Sequence, residues 1–251
     1  MEFLRRHPFP VVAWFDRVVA VSFAFPAEVL QPLVPQGLEM DTFEGLGFVT
    51  VALVWTRHLR PAGFPACLGQ DFFLAGYRIF ARLADPSGRR LRGLKILRSE
   101  TDKQSMVWMG NLMTKYNYRR VSVRSKEEGS KTRVETSLPT GERTLLLTYD
   151  ANDPAAALPS GSPFPDWRTA RRFAGPLPFT FSPEKDGSFV VIKGTRADWS
   201  PRPVALGEWD VSLFAEPPFR GAAPVLANAF AVERIAYRWE RGRVMRPGAT
   251  A

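Results

Sequence analysis

The chain has 251 residues, of which 45% are hydrophobic and 24% are charged, and its formal net charge is +9. This balance excludes a disordered, collagenous or coiled-coil chain. One cysteine and two histidines exclude an internal disulfide and a standard zinc site, so no metal is expected. The 22 prolines and 19 glycines interrupt the chain too often for long helices and favour short strands joined by turns.

The first half of the chain is predicted to consist mostly of strands. Val18–Phe25 is an apolar strand, and a short helical turn follows it at Ala27–Leu33. Phe43–Trp55 is apolar on both alternating faces, so we expect other elements to cover this strand on both sides. The residues Asp-Pro-Ser-Gly at 85–88 predict a hairpin between the strands Phe72–Leu83 and Leu91–Leu97.

The clearest helical pattern covers Thr101–Tyr116. Thr101 and Gln104 have the spacing of a T-x-x-Q capping box at its start. Three methionines then recur at helical spacing, at positions 106, 109 and 113. A methionine stripe of this kind is typical of adaptable core packing, and we expect it to face the interior.

The second half of the chain again favours strands over helices. The predicted elements are a strand at Asn117–Arg124, a hairpin of Lys131–Leu138 with Arg143–Tyr149, a short helix at Asp166–Phe173, and strands at Phe179–Ser182, Ser188–Gly194, Val204–Leu213 and Phe230–Trp239. The segment Ala151–Pro165 is loop-forming and marks either a domain boundary or a long connection within one domain. The sum predicts a β-barrel or an α+β fold.

No segment has the features of an anchor or an address. The longest apolar run, Gly45 to Trp55, is about half as long as a membrane span needs. The apolar stretch after the basic N-terminus is broken by Asp16 and Arg17 before it would serve as a signal core. We therefore expect a cytoplasmic protein with no membrane partner.

Most of the net charge lies between Pro86 and Ser125. This window contains ten basic residues and two acidic residues, Glu100 and Asp102, so it carries +8 of the net charge of +9. Trp108 and two tyrosines would serve as stacking platforms for nucleic acid. No nucleic-acid-binding motif accompanies the charge, and strand edges commonly carry solvated arginines, so nucleic acid is the least favoured partner.

Two lysines are candidates for nucleophilic chemistry, although the chain carries no glycine-rich phosphate loop, hydrolase elbow or metal motif. Lys115 follows the methionine helix among apolar residues, where burial and neighbouring positive charge would favour the free amine. The alternative is a lysine that complements the helix dipole and points to water. Lys95 lies mid-strand and points either into a pocket or to the surface.

Arg78 is a further candidate because its sequence neighbours are apolar. A buried arginine needs a carboxylate partner or an anionic ligand. Glu100, between a predicted strand and the predicted helix, is a candidate partner. Arg78 and Glu100 therefore form either a structural ion pair or part of a binding site.

The order of these elements resembles the bacterial YqjF-like proteins, which are grouped with acetoacetate decarboxylase by a shared barrel fold. The resemblance rests on Phe23–Phe48, on the strand Phe72–Phe80 with Arg78, on Gly93–Arg124 with Trp108 at the family's helix tryptophan, and on Ala197-Asp198-Trp199. It spans nearly the whole chain and implies one domain over residues 1–251. At the position of the decarboxylases' Schiff-base lysine this chain has Tyr118.

The resemblance implies an α+β fold with a mostly antiparallel β-barrel or cone and a few packed helices around a small apolar pocket. One expectation is a lyase or decarboxylase-like enzyme without a cofactor: Lys115 or Lys95 supplies an amine, Tyr118 donates a hydrogen bond, and Arg78, Glu100 and Trp108 bind a small carbonyl or carboxylate compound. The alternative is a non-catalytic barrel that binds a small ligand. The sequence leaves homo-oligomerisation open.

Overall fold

The computed structural model of the chain describes residues 2–153, 157–175 and 177–248. These residues form a mixed α+β fold that consists mostly of strands. The strands are β1 Val11–Pro26, β2 Glu39–Met40, β3 Leu46–Pro61, β4 Gln70–Ala84, β5 Arg90–Thr101, β6 Tyr118–Arg120, β7 Ser122–Glu128, β8 Lys131–Ser137, β9 Arg143–Asp150, β10 Phe179–Pro183, β11 Phe189–Arg196, β12 Arg202–Pro203, β13 Ala205–Val211, β14 Val225–Trp239 and β15 Arg243–Met245. The α-helices are α1 Ala27–Leu30, α2 Gln104–Met113 and α3 Trp167–Ala174.

The large sheet follows the pairing order β12-β14-β1-β3-β4-β5-β10-β11-β15, with β2 beside β4 and β6 beside β5. Its pairs are antiparallel except for β5 with β10 and β5 with β6, which are parallel. β11 also pairs with β14 over Gly194–Arg196. The path that starts at β14 and runs through β1, β3, β4, β5, β10 and β11 therefore returns to β14.

A second sheet of four strands, in the order β13-β9-β8-β7, shares a hydrophobic cluster with the large sheet. The two faces of β3 contribute to different parts of the interior. Val49, Val51 and Leu53 are fully buried in this cluster, whereas Thr50 and Ala52 point to the opposite face. Full burial of each such aliphatic side chain contributes about 1.5–3 kcal/mol. The prediction that this strand is covered on both sides is confirmed.

Two predictions around α2 are wrong: the start of the helix predicted at Thr101–Tyr116, and the single strand predicted at Asn117–Arg124. Thr101 belongs to β5, and α2 begins at Gln104 after the N-cap residue Lys103, which makes no side-chain capping bond. The predicted T-x-x-Q capping box therefore does not form. The predicted strand Asn117–Arg124 divides at Val121, because β6 joins the large sheet and β7 the small one.

Both predicted hairpins are confirmed. The short helix predicted at Asp166–Phe173 is confirmed as α3. Gly88 N–H donates to Asp85 C=O at 2.8 Å in the β4–β5 turn, and β8 pairs with β9. Asp166 caps α3 by accepting from Thr169 N–H at 2.6 Å. Part of the predicted loop Ala151–Pro165 lies outside the described residues. In the described ranges, no helix has the length and apolar character that a bilayer crossing requires.

Candidate functional site

The face of the large sheet opposite the shared cluster surrounds an internal cavity of about 320 Å³. Strands β1, β3, β4, β5, β11 and β14 and helix α2 contribute its wall. Most of the wall is hydrocarbon from side chains such as Ala20, Ala52, Phe80, Ile96, Ile192 and Phe230. A cavity with this lining contacts the body of a small apolar molecule and leaves its few polar groups to specific side chains.

Arg78 projects into this cavity from the middle of β4. Its cross-strand neighbours Thr50 on β3 and Ile96 on β5 line the same wall. Within the described residues the guanidinium makes no ion pair and no hydrogen bond with a protein group. Burial lowers the pKa of Arg78, yet a guanidinium keeps its proton at neutral pH. The cavity therefore holds a half-buried positive charge that no carboxylate of the described chain compensates.

Three tyrosines line the cavity close to Arg78: Tyr116, Tyr118 and Tyr237. The Tyr116 hydroxyl lies 2.6 Å from Thr180 Oγ1. Burial raises the pKa of each phenol, that of Tyr118 to about 12. All three are protonated at neutral pH and are able to donate a hydrogen bond to an oxygen atom in the cavity.

Two glycines determine where the tyrosine rings lie. A Cβ atom at Gly110 on α2 would overlap the ring of Tyr118, and a Cβ atom at Gly194 on β11 would overlap the hydroxyl of Tyr237. Each ring therefore occupies space that any other residue at the glycine position would fill. These close approaches bring the helix and β11 against the phenols.

Arg196 is a second cation at the cavity wall. Its Cζ lies 4.4 Å from the centre of the Trp199 ring and 5.7 Å from that of Tyr237, which are cation–π distances. Burial lowers the pKa of Arg196, and Tyr237 opposes the shift. Among the residues with a described position, no carboxylate forms an ion pair with Arg196. The two arginines give the cavity a positive potential.

A row of polar side chains crosses the sheet next to Arg78. Arg78 pairs with Thr50, Thr50 with Ser22, and Ser22 with Asn228. Directly paired residues share one face of a sheet. The Ser22 and Thr50 hydroxyls lie 2.7 Å apart, and both amide atoms of Asn228 are buried with no hydrogen-bond partner among the described residues. Of these three residues Thr50 lines the cavity, and Ser22 and Asn228 continue the polar row in the fully buried part of the sheet.

The structure does not place the two candidate lysines in the cavity wall. Lys115 Nζ lies 3.1 Å from Glu184 Oε1 and donates to Pro183 C=O at 2.9 Å. Lys95 Nζ donates to Ile96 C=O at 2.6 Å, and burial lowers its pKa. Because Leu94 and Ile96 on either side of Lys95 line the cavity, its own side chain leaves the strand on the other face.

Glu100 is not the partner of Arg78, and the predicted Arg78–Glu100 ion pair is wrong. Glu100 is fully buried, pairs with Arg119, and accepts a hydrogen bond from the Tyr77 hydroxyl at 2.9 Å. Tyr77 and Arg78 are adjacent in β4, so their side chains lie on opposite faces of the sheet. Glu100 therefore belongs to the side that packs on the small sheet and does not line the cavity.

Trp108 is placed differently from the prediction, whereas the methionine stripe faces the interior as predicted except for part of Met109. Trp108 is 70% exposed and lies outside the cavity wall. The three methionines line the cavity, but Met109 is also 37% exposed. Of the six predicted site residues, Arg78 and Tyr118 are the two that the cavity brings together.

Several polar residues of the wall were not predicted as site residues. Thr50 could have been identified from the sequence, because it is the one polar residue in the apolar run of eleven residues from Gly45 to Trp55. Arg196 and Tyr237 had none, since each lies in an ordinary strand sequence and meets Arg78 only through the pairing of β11 with β14. Tyr116 was considered as one of the two tyrosines for nucleic-acid stacking and not as a residue of a small-molecule site.

Most cations of the basic window between Pro86 and Ser125 form ion pairs, five of them with carboxylates outside the window. Six of its ten cations form ion pairs: Arg89 with Asp85, Arg90 with Glu39, Arg92 with Asp41, Arg98 with Glu216, Lys115 with Glu184, and Arg119 with Glu100. A footprint for nucleic acid depends on cations that are free to contact phosphates. The window therefore presents much less free charge than its sequence suggests.

Comparison with known proteins identifies a family and a shared fold. The model of the family DUF2071, described as an uncharacterized conserved protein (COG2071), matches residues 13–233. No curated protein matches the chain.

The chain is similar to several solved structures. One is an acetoacetate decarboxylase from Legionella pneumophila subsp. pneumophila str. Philadelphia 1, with a TM-score of 0.63 and 11% identity over 96% of this chain and 88% of that chain. Another is the enduracididine biosynthesis enzyme MppR complexed with pyruvate, with a TM-score of 0.60 and 13% identity over 94% and 90%. A third is an acetoacetate decarboxylase-like enzyme from Sphingomonas wittichii RW1, with a TM-score of 0.58 and 14% identity over 94% and 92%. At these identities the likeness shows the fold alone.

Proposed function

We propose, on the premise that this chain belongs to the DUF2071 family of YqjF-like proteins, that its cavity binds a small compound with an apolar body and one carboxylate. In this proposal the closed pairing of the large sheet acts as a barrel around the ligand. Arg78 binds the carboxylate, and Tyr118 donates a hydrogen bond to it or to a neighbouring carbonyl oxygen.

The observation that carries this proposal is the unpaired Arg78. Burial of a charged group without a partner costs several kcal/mol, so folded proteins rarely retain one without a use. A carboxylate is the natural complement because its two oxygens match the fork of the guanidinium. The apolar wall supports an apolar body for the remainder of the ligand.

The donors around Arg78 support an oxygen-rich head group. The three protonated phenols and the two arginines offer N–H and O–H groups, and no aspartate or glutamate lines the described wall. A carboxylate presents acceptors only, whereas an amine or a cation would meet repulsion from both arginines. The proposal therefore excludes cationic ligands.

The first prediction concerns thermal unfolding of the protein with hexanoate, phenylpyruvate and hexanamide as probes. A carboxylate at a hundredfold excess over its Kd stabilises the folded state by about 2.7 kcal/mol. For a chain of this length that raises the Tm by roughly 5–10 °C. The amide has almost the same shape and no charge, so it should leave the Tm nearly unchanged.

Equal shifts with the acid and the amide would contradict the role of Arg78. Recovery of each probe after incubation separates the two forms of the proposal. A probe recovered unchanged indicates a binding protein, whereas conversion of phenylpyruvate indicates the lyase or decarboxylase-like enzyme that the sequence resemblance leaves as the other expectation.

The second prediction is that no lysine forms a Schiff base in the cavity. Lys115 is engaged by Glu184, and Lys95 lies on the other face of β5. Incubation with pyruvate and borohydride should therefore add no mass to any lysine, as mass spectrometry of the digested protein would show. A reduced adduct on one lysine would restore the amine mechanism, and its loss in Lys95→Arg or Lys115→Arg would identify the residue.

A further inference from the structure

A patch of exposed apolar side chains lies at the mouth of the cavity. The described residues include eight large hydrophobic side chains that are exposed, and five of them fall in two segments. Phe64 and Leu68 lie in the loop between β3 and β4, and Trp108, Met109 and Leu112 lie on α2. We call these five residues the mouth patch. Trp108, at 70% exposure, is the most exposed of them.

Side-chain contacts join the two segments. Gln70, at the start of β4, approaches Met109 Sδ with its amide nitrogen at 3.1 Å, and its amide oxygen accepts from Ser105 Oγ at 2.6 Å. Leu68 and Met109 both belong to the cavity wall. Gln70 therefore holds the end of the loop that carries Leu68 against α2, and the partly exposed side chains of Leu68 and Met109 mark where the cavity wall reaches the surface.

Three cations border the mouth patch. Arg60 donates to Phe64 C=O at 2.8 Å, Arg5 donates to Asn111 C=O at 3.2 Å, and Lys103 precedes α2. In the described part of the chain, none of the three forms an ion pair with a carboxylate. The acidic side chains of the same segments are Asp102, which accepts from Phe73 N–H, and Asp71, which pairs with Arg57.

We propose that the mouth patch docks on an anionic lipid surface. Surfaces that insert shallowly into the headgroup region of a bilayer expose tryptophan, leucine and phenylalanine and carry lysine and arginine at their border. Each cation near an anionic surface strengthens this attraction. The sequence prediction of no membrane partner considered only spanning segments, which this mode of docking does not need.

The charge around the mouth patch favours binding to a lipid surface over binding to a second copy of the chain. Two copies that met through this patch would bring the same free cations together, and the whole chain carries +9. A second copy would also close the opening of the cavity. On a lipid surface, the opening faces the place where apolar acids accumulate.

The test is sedimentation of the protein with vesicles of phosphatidylcholine alone and of phosphatidylcholine with roughly one third phosphatidylglycerol. The wild-type chain should sediment with the anionic vesicles and much less with the neutral ones, and added salt should weaken the association. The double variant Trp108→Ser/Leu112→Ser should lose at least about tenfold in partitioning.

Val225→Ser is the matched control. Val225 is 39% exposed and pairs with Ala24, at the far end of β1 from the Val11–Pro61 pair beside the loop. This variant should sediment like the wild type. Arg78→Leu should also sediment normally, which separates docking from ligand binding, because the docking inference does not depend on the proposed ligand.

Three outcomes would overturn the inference. The first is no association with anionic vesicles, and the second is equal association with both compositions. The third is a wild-type dimer in solution that Trp108→Ser/Leu112→Ser converts to a monomer, which would assign the patch to a second copy.

Discussion

Arg78→Leu is expected to abolish carboxylate binding and to raise the stability of the protein at the same time. Removal of the guanidinium takes away the charge that pairs with the ligand, which corresponds to a loss of about 2–4 kcal/mol, or roughly 30- to 1000-fold in affinity. The same change replaces an uncompensated, half-buried cation with hydrocarbon in an apolar wall. We expect the free energy of unfolding to rise by about 1–3 kcal/mol.

The two effects are measured separately. Isothermal titration with the carboxylate that stabilises the wild type reports the affinity, and urea denaturation without ligand reports the stability. Opposite signs are the signature of a residue kept for binding at a cost in stability. A variant that binds normally, or one that is much less stable than the wild type, would refute this role for Arg78.

Arg119→Leu is the matched control. This arginine pairs with the fully buried Glu100, so its removal leaves a carboxylate without its cation. We expect a loss of about 3 kcal/mol in unfolding free energy and unchanged affinity for the carboxylate. The two arginine variants should therefore shift stability in opposite directions.

Glu100→Ala is expected to destabilise the protein by about 3–5 kcal/mol. The carboxylate accepts from the hydroxyls of Tyr77 and Thr144, each at 2.9 Å, and pairs with Arg119. Its loss leaves these donors and the Arg119 guanidinium without their shared acceptor in the space between the two sheets. The change should appear as a lower midpoint in urea denaturation.

Asp210→Ala serves as the comparison for Glu100→Ala. Asp210 pairs with Arg143 at 2.9 Å, but both side chains are about half exposed, so the pair contributes about 1 kcal/mol at most. If Glu100→Ala instead kept its stability and lost affinity for the carboxylate, Glu100 would regain the substrate-binding role that the sequence suggested.

The sequence predicted the existence of most elements but not all of their bounds. Strand patterning and turn residues identified the β4–β5 and β8–β9 hairpins, because both signals are local. The capping box at Thr101 failed because that residue continues β5, where strand pairing with Leu74 takes precedence over a local helix signal. The strand after α2 was divided because its two halves pair with different sheets.

The candidate site was predictable only where one residue stood out against its neighbours. Arg78 did so, as a cation among apolar residues in a strand. Lys115 had a similar local pattern, but a distant carboxylate, Glu184, engages its amine outside the cavity. Local sequence does not reveal which of two cations meets a carboxylate that lies far away along the chain.

The amino-acid sequence by itself determined that the protein is strand-rich, that one strand is buried on both faces, and that Arg78 needs an anionic partner or ligand. These properties follow from residue types and their spacing along one segment. Only the tertiary structure decided that Glu100 forms its ion pair with Arg119. It also decided that Arg196 and Tyr237 line the same cavity as Arg78, and that the Trp108 side chain is exposed to solvent. Each of these depends on the face of a strand or helix that meets a distant segment, and a pairing shift of one residue reverses that face.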